Sequence, residues 1–386
     1  MLKHEKLTFI LTIKDRDSFT LRWLTYANKT NFPFKILIAD GGKSLSLEKI
    51  LTENDRFSNL NYEYIRYPYD ATYTEYYAKT LDALSRVKTP FAAIGQDDDF
   101  YFVEELQEAI DFLSVHKEYI AYNGCIDNFI VKPNTSTAYG KDVEFIKNPV
   151  AKSIDGKTSR DRVWEHFCDY THTLYSVYRI EVLTKNYETL CKYNFTNLIL
   201  HELILSFLTA AEGTVKRSNN FYLMRQINPK NSSNNAETKK KGDYLDRMLI
   251  DSWSLEFNQF VNSVAEIIVE KDQIVLNEAQ QFVKKGYREY IIPKLKGLKL
   301  SNIKGVEKWL VEKKTSLGGQ FYNRIKSLSK ESILYKVLRK YFHIYQDLKD
   351  AMPRPRPIYP TSLIYKKVQP IREFLTSPKE IDCDRQ

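Results

Sequence analysis

An α/β fold is what this 386-residue sequence predicts: a Rossmann-like, mainly parallel sheet flanked by helices, then a mostly helical C-terminal region. Three observations predict it. Early in the chain, short apolar, β-branched runs alternate with stretches of helical spacing, the pattern of βαβ units in a parallel sheet. Each run ends in a polar or glycine-containing turn, as strands do. Beyond about residue 239 the strand patterns fade and helical spacing takes over.

Residues 7–13 (LTFILTI) form the first apolar run and predict a buried strand. The polar knot Lys14-Asp15-Arg16-Asp17-Ser18 follows, then a helix over 19–28 with Leu21 and Leu24 inward and Asp17 or Ser18 as its cap. Residues 34–39 (FKILIA) predict a second strand, ended by Asp40-Gly41-Gly42, and 47–51 a short helix. A third strand over 62–67 (YEYIRY), a helix over 73–87 and a fourth strand over 91–95 (FAAIG) come next, running into Gln96-Asp97-Asp98-Asp99. Leu106, Ile110 and Leu113 share one face of a helix over 103–115. A short strand is expected at 119–122, a turn-rich stretch over 123–165, and another strand at 171–178. The apolar run 195–211 predicts a helix, 219–226 (NNFYLMRQ) a strand, and 228–235 (NPKNSSNN) a loop. Helices are expected over 243–269 and 276–290, and extended chain around Pro353, Pro355, Pro357 and Pro360.

Composition bounds the class. At 43% hydrophobic and 28% charged the chain can bury a large core, which argues against wholesale disorder. No apolar run reaches the ~18 to 20 residues of a membrane span. Residues 1–6 are polar and lead straight into a strand, so no secretory signal is expected. Cys125, Cys168, Cys191 and Cys383 are far apart and form no CxxC pair, which suits reduced thiols in the cytoplasm. The net charge of +9 is unevenly spread: residues 238–386 hold 29 basic and 18 acidic side chains, and residues 1–237 hold 29 and 31. That asymmetry predicts two units, 1–237 and 238–386.

The chemistry starts at Asp97, Asp98 and Asp99, just past an apolar strand. Ligands of parallel α/β sheets bind at the C-terminal strand edges. Adjacent carboxylates there repel one another, and a hard divalent cation, Mn2+ or Mg2+, removes that repulsion while neutralising a leaving diphosphate. The bland alternative is a solvated acidic turn capping the next helix.

Three motifs in order then resemble one family. Ile13-Lys14-Asp15-Arg16 ends the first strand, Ala39-Asp40-Gly41-Gly42 the second, and Asp97-Asp98-Asp99 the fourth. Over its first ~230 residues the chain is similar to a family 2 glycosyltransferase of the GT-A fold. The resemblance implies a nucleoside pocket at Ile13, Asp15 and Arg16, with Asp40 on the base and Lys79 near the donor. It implies Asp97 on the ribose or sugar, Asp99 on the metal with Asp97 beside it, and Asp98 in either role. It places an acceptor base at the start of a helix, here Glu202, whose neighbour His201 points ~100° away around the helix. Arg225 would grip the diphosphate, Asn228 or water would complete the metal shell, and the 228–235 loop would close over the donor. Trp164, Tyr170 and His172, with His166, fall where such enzymes shape the acceptor pocket.

The resemblance implies a nucleotide-diphosphate sugar as donor and a glycan or lipid-linked acceptor, in surface polysaccharide or glycoconjugate synthesis, with inversion. Residues 281–346 hold 16 basic and 4 acidic side chains with interleaved aromatics. That composition fits an anionic membrane surface at the inner face of the plasma membrane, or a helical bundle that makes a homo-oligomer. A nucleic-acid-binding protein on an inactive α/β domain is the reading from another class, although nucleic acid is not the expected partner. A nucleotidyltransferase would need a glycine-rich loop after the first strand, which is absent here.

Overall fold

The computed structural model describes residues 3–53, 55–133, 138–193, 195–227, 248, 252–297, 356–359 and 362–377. Asn228, the 228–235 loop, the expected boundary at 237/238 and most of the basic stretch 281–346 lie outside the described residues. The chain divides into two compact units, Met1–Lys284 with Pro355–Gln386, and Lys285–Arg354. Of the second unit, the described residues are 285–297, part of the helix Leu276–Gly297.

In the first unit, β1 (Leu7–Ile13), β2 (Lys35–Asp40), β3 (Tyr62–Arg66) and β4 (Phe91–Gly95) are parallel, in the order β3-β2-β1-β4. Helices α1 (Asp17–Lys29), α2 (Ser46–Glu53) and α3 (Tyr73–Ser85) connect them. All seven β1 residues are buried, as an uninterrupted apolar run between helix layers should be. The register pairs Ile13 with Asp40 and Asp40 with Arg66, so these strands end at one edge. Gly95 makes room for the Phe9 ring, which an added Cβ would strike.

Beyond β4 the sheet is mixed, where a mainly parallel one was expected. Strand β8 (Val177–Arg179) runs antiparallel to β4, and β6 (Tyr119–Lys132) antiparallel to β8 and to β7 (Asp142–Lys147). Residues 133–141 are too short a link for a parallel crossover, which needs a dozen residues or more. Strand β9 (Thr214–Gln226) lies parallel to β6 and antiparallel to β5 (Phe100–Tyr101). Helices α4 (Val103–Val115), α5 (Ser159–Cys168), α6 (Ile180–Tyr193) and α7 (Leu198–Glu212) complete the layers.

Several expected elements change. The strand at 119–122 runs on to Lys132, through residues expected to be turns. Asn123 and Asp127 sit at buried positions and break the apolar alternation, each held by a bond, Asn123 to Ser176 Oγ (2.9 Å) and Asp127 from Asn148 N (2.7 Å). The expected 171–178 strand shrinks to its last residues. Tyr178 donates to Thr173 Oγ1 (2.7 Å), and Ser176 N to Thr173 O (2.9 Å), folding the segment into a turn. Helix α6 is an addition to the expected elements.

The first unit also extends past residue 237. The helix Ser252–Asp272 buries Phe260, Val261, Val264 and Ile268 and packs along α7. Its Glu256 accepts from the backbone N–H groups of Thr196 and Asn197, and Asp272 from those of Ser159 and Arg160. These carboxylates satisfy helix N-termini of the α/β unit, which binds the helix to it. At the other sheet edge, Arg356–Pro357 pairs with β7, and the helix Leu363–Leu375 buries Val368, Ile371 and Phe374 against Phe19, Phe100 and Phe145. Among the described residues no helix is long and apolar enough to cross a membrane.

Candidate functional site

Two loops meet at the C-terminal edge of β1 and β2. Asp15 has φ 51°, a left-handed conformation that a short acidic side chain tolerates by local bonding. Its Oδ1 accepts from Lys43 N (2.6 Å). Gly42 permits this closure, since a Cβ there would sit 2.9 Å from the Asp15 nitrogen. Asp40 is buried and engaged: Gly42 N (2.7 Å), Tyr64 Oη (2.7 Å) and Arg66 Nη1 (2.8 Å) all donate to it. Tyr69 stands half in solvent between two cations, Lys14 Nζ 4.7 Å and Lys43 Nζ 4.5 Å from its ring centre.

Lys79 lies beneath this edge rather than on a solvated face. It donates to Ile13 O (3.1 Å) and to Asp70 Oδ2 (2.5 Å), and both side chains are almost fully buried. Burial pulls Lys79 down and Asp70 up, and their mutual attraction opposes both shifts. Removing one partner of such a pair strands the other charge. Lys79→Met is therefore expected to destabilise the protein by about 3 to 5 kcal/mol in urea unfolding. An unchanged midpoint with weakened donor binding would instead make Lys79 a ligand contact.

The acid run leaves β4 and is buried, with Asp97, Asp98 and Asp99 exposed by 3%, 8% and 1%. Arg16 bridges the first two, Nη1 to Asp97 Oδ1 at 3.3 Å and Nη2 to Asp98 Oδ2 at 2.9 Å. Thr20 Oγ1 donates to Asp97 Oδ2 (3.2 Å). Asp99 Oδ1 accepts from Gln226 N (2.9 Å), while its Oδ2 is buried with no hydrogen-bond partner. Burial, opposed by Arg16 and reinforced by Asp98, pushes Asp97 up to about 6. Burial and Asp98 also push Asp99 well above its ordinary value, against Arg225. The run is thus a strained anionic centre, not a solvated helix cap.

The pairing of β5 with β9 brings the next groups in. Phe100 opposite Met224 sets Arg225 and Gln226 beside Asp99. Arg225 is held above its ordinary value by Tyr175, Asp99, Glu202 and Asp98, against burial, and lies 5.6 Å over the Tyr175 ring. Glu202 is half-buried on α7, whose N-terminus is capped by Asn197 Oδ1 accepting from Ile199 N (3.0 Å). The adjacent His201 turns the other way, stacked on Tyr77 (5.0 Å) and Tyr73 (5.9 Å), and burial pushes it down to about 4. The Tyr170 hydroxyl reaches the Glu202 backbone oxygen (3.4 Å). His172 packs on Tyr175 (5.0 Å), and burial with Arg225 and Arg217 pushes it down to about 3, so it is neutral.

The structure therefore gathers Arg16, Asp97, Asp98, Asp99, Arg225 and Glu202, with Tyr170 and His172 beside them. Ile13, Asp15 and Asp40 belong to the adjoining loops. Trp164 is elsewhere, 6.0 Å from Phe282 on the helix Leu276–Gly297. His166 is wholly buried among Phe207 and Tyr170, with both ring nitrogens unbonded.

Sequence reasoning missed three residues of this centre. Arg22 is fully buried between Phe19 (4.8 Å) and Phe100 (5.2 Å) and donates to Gln226 Oε1 (2.8 Å) and Ala138 O (2.7 Å). A lone arginine within the apolar stretch Leu21–Leu24 was its signal. Gln226 and Tyr175 carry no local signal, since their roles come from strand pairing.

The residues fit a divalent cation: Asp99 offers a buried oxygen without a partner, and the neighbouring Asp98 adds a second carboxylate charge that a cation would offset. Among the described residues no cluster of three His, Cys, Asp or Glu side chains is arranged to hold a metal ion. Phosphate and water oxygens would then supply the remaining ligands, as Mg2+ sites commonly use them.

Fold and site thus define an α/β protein with a carboxylate and guanidinium centre at its C-terminal sheet edge. No family model and no curated protein matches the chain. Among solved structures it is similar to the crystal structure of S. aureus TarS 1–349, at 14% identity over 77% of this chain and 76% of that one, TM-score 0.47. The same fragment in complex with UDP-GlcNAc gives 14% identity, 77% of each chain and TM-score 0.47. Against the longer TarS chain the identity is 13% and the TM-score 0.41, over 74% of this chain and about half of that one, 54%.

Proposed function

We propose that the protein is a metal-dependent glycosyltransferase of the GT-A type, moving a sugar from a nucleoside-diphosphate donor to a glycan or lipid-linked acceptor with inversion. What carries this reading is the convergence of a carboxylate oxygen without a partner, on Asp99, with Arg225 and Glu202. A bound Mn2+ or Mg2+ supplies charge neutralisation to the leaving diphosphate. Arg225 holds the diphosphate through its planar fork. Arg22 and Gln226 fix Asp99 from behind, through the chain of bonds that ends at Asp99 Oδ1. Glu202 takes the proton from the attacking acceptor hydroxyl. Tyr170 and His172 line the acceptor side, His172 as a neutral hydrogen-bonding group. Asp40, Asp15 and Ile13 form the floor under the nucleoside. The basic stretch 281–346 would hold the enzyme at an anionic membrane surface, where a lipid-linked acceptor resides.

The test is thermal unfolding against a panel of nucleoside diphosphates, with and without Mn2+. One nucleotide should raise the melting temperature in a metal-dependent way, since a ligand of the folded state stabilises it. Indifference to all of them would remove the donor site, and with it the transferase.

A further inference from the structure

The three carboxylates of the acid run have the Arg225 guanidinium on the Asp99 side and those of Arg16 and Arg22 on the other, and Arg16 and Arg22 are not equivalent. Arg22 cannot leave: it is 0% exposed, clasped by two phenylalanine rings and bonded to Ala138 and Gln226. Arg16 can. Its side chain is 16% exposed and lies over the Phe19 ring at 4.4 Å. Its backbone is the N-cap of α1, with no side-chain capping bond, and follows the left-handed Asp15. What holds the guanidinium is the pair of contacts to Asp97 and Asp98.

A cation arriving at Asp97 and Asp99 meets that guanidinium. It must either displace Arg16 or sit beside a like charge in a buried site, where the repulsion is poorly screened. A displaced guanidinium needs a new anion. A diphosphate offers one, with oxygens spaced for the arginine fork. We infer that Arg16 is a resident counter-ion that leaves the acid run for the donor's diphosphate, so that cation and nucleotide each bind well only when the other is present. The inference rests on the proposed donor site and adds a coupling to it. In thermodynamic terms Arg16 supplies coupling free energy between the two ligands, and such coupling is reciprocal.

Mn2+ binding to the full-length protein, read by the electron paramagnetic resonance of free Mn2+, tests this without turnover. In wild type, the nucleotide that responds in the thermal panel should tighten Mn2+ by more than tenfold. In Arg16→Met, which keeps the packing on Phe19, Mn2+ alone should bind about tenfold tighter, and the effect of nucleotide should shrink about tenfold. Arg16→Lys keeps the charge without the fork and should fall between. Mn2+ affinity in Arg16→Met that is unchanged or weaker, with coupling intact, overturns the inference and leaves the donor site standing. Wild type that binds no nucleotide overturns both.

Discussion

Asp99→Asn is expected to abolish sugar transfer and, at the same time, to raise the melting temperature of the ligand-free protein at alkaline pH. The loss of rate should be roughly a thousandfold, equivalent to about 4 kcal/mol of charge stabilisation. The gain in stability follows from burial. Asp99 is 1% exposed, flanked by Asp98, and its carboxyl sits well above the ordinary value of 3.8. Asp97 is pushed up to about 6 by the same burial. A raised carboxyl keeps its proton in the folded state where the unfolded chain has lost it. Stability of the free protein therefore falls as pH rises from about 3.8 through the folded-state values, and the penalty is complete above them. Asparagine carries no charge, and its Oδ1 can still accept from Gln226 N. Unfolding midpoints measured from pH 5 to pH 8 should thus converge at the acid end and separate in favour of the variant at the alkaline end. Mn2+ together with the responding nucleotide should stabilise wild type most at the alkaline end and leave the variant unmoved. A variant less stable than wild type at pH 8 would mean that Asp99 is a structural anion held by Arg225.

Much of the frame behind this centre was legible because its signals are local. The uninterrupted apolar runs of β1, β2 and β4 specify buried strands, and Leu106, Ile110 and Leu113 fix the face of α4. The acid run was legible because three adjacent carboxylates after an apolar strand need compensation from somewhere. The other half of the sheet was less so. Asn123 and Asp127 occupy core positions of β6, and their partners, Ser176 and Asn148, are distant in sequence. Periodicity weighs each side chain by its polarity and cannot see such a partner. Arg22 is the same case at the site: its two aromatic walls, Phe19 and Phe100, come from different elements. Lys79 shows the converse. Its sequence suggested a solvated face or a donor contact, and burial against Asp70 rules out the solvated face.

Glu202→Gln separates binding from chemistry. Glutamine keeps the size and hydrogen-bonding capacity of the side chain and cannot accept the acceptor's proton. Loss of a general base costs roughly 10²- to 10⁴-fold in kcat. Glu202 is half-buried near Arg225, so removing its charge should leave the fold intact. It should also leave the metal-dependent shift produced by the nucleotide, because the groups proposed to hold the donor are Arg225 and Asp97 to Asp99. The discriminating result is therefore a low kcat with a donor KM close to wild type, the signature of an interaction made only in the transition state. Glu202 could instead serve as a counter-ion that orients Arg225. In that case the substitution would weaken donor binding, raising KM and shrinking the nucleotide-induced shift, while kcat at saturation would largely survive. His201 cannot take over as base. It is stacked within the Tyr73 and Tyr77 rings, and the helical geometry that separates adjacent side chains by ~100° sets it apart from Glu202, which lies near Arg225.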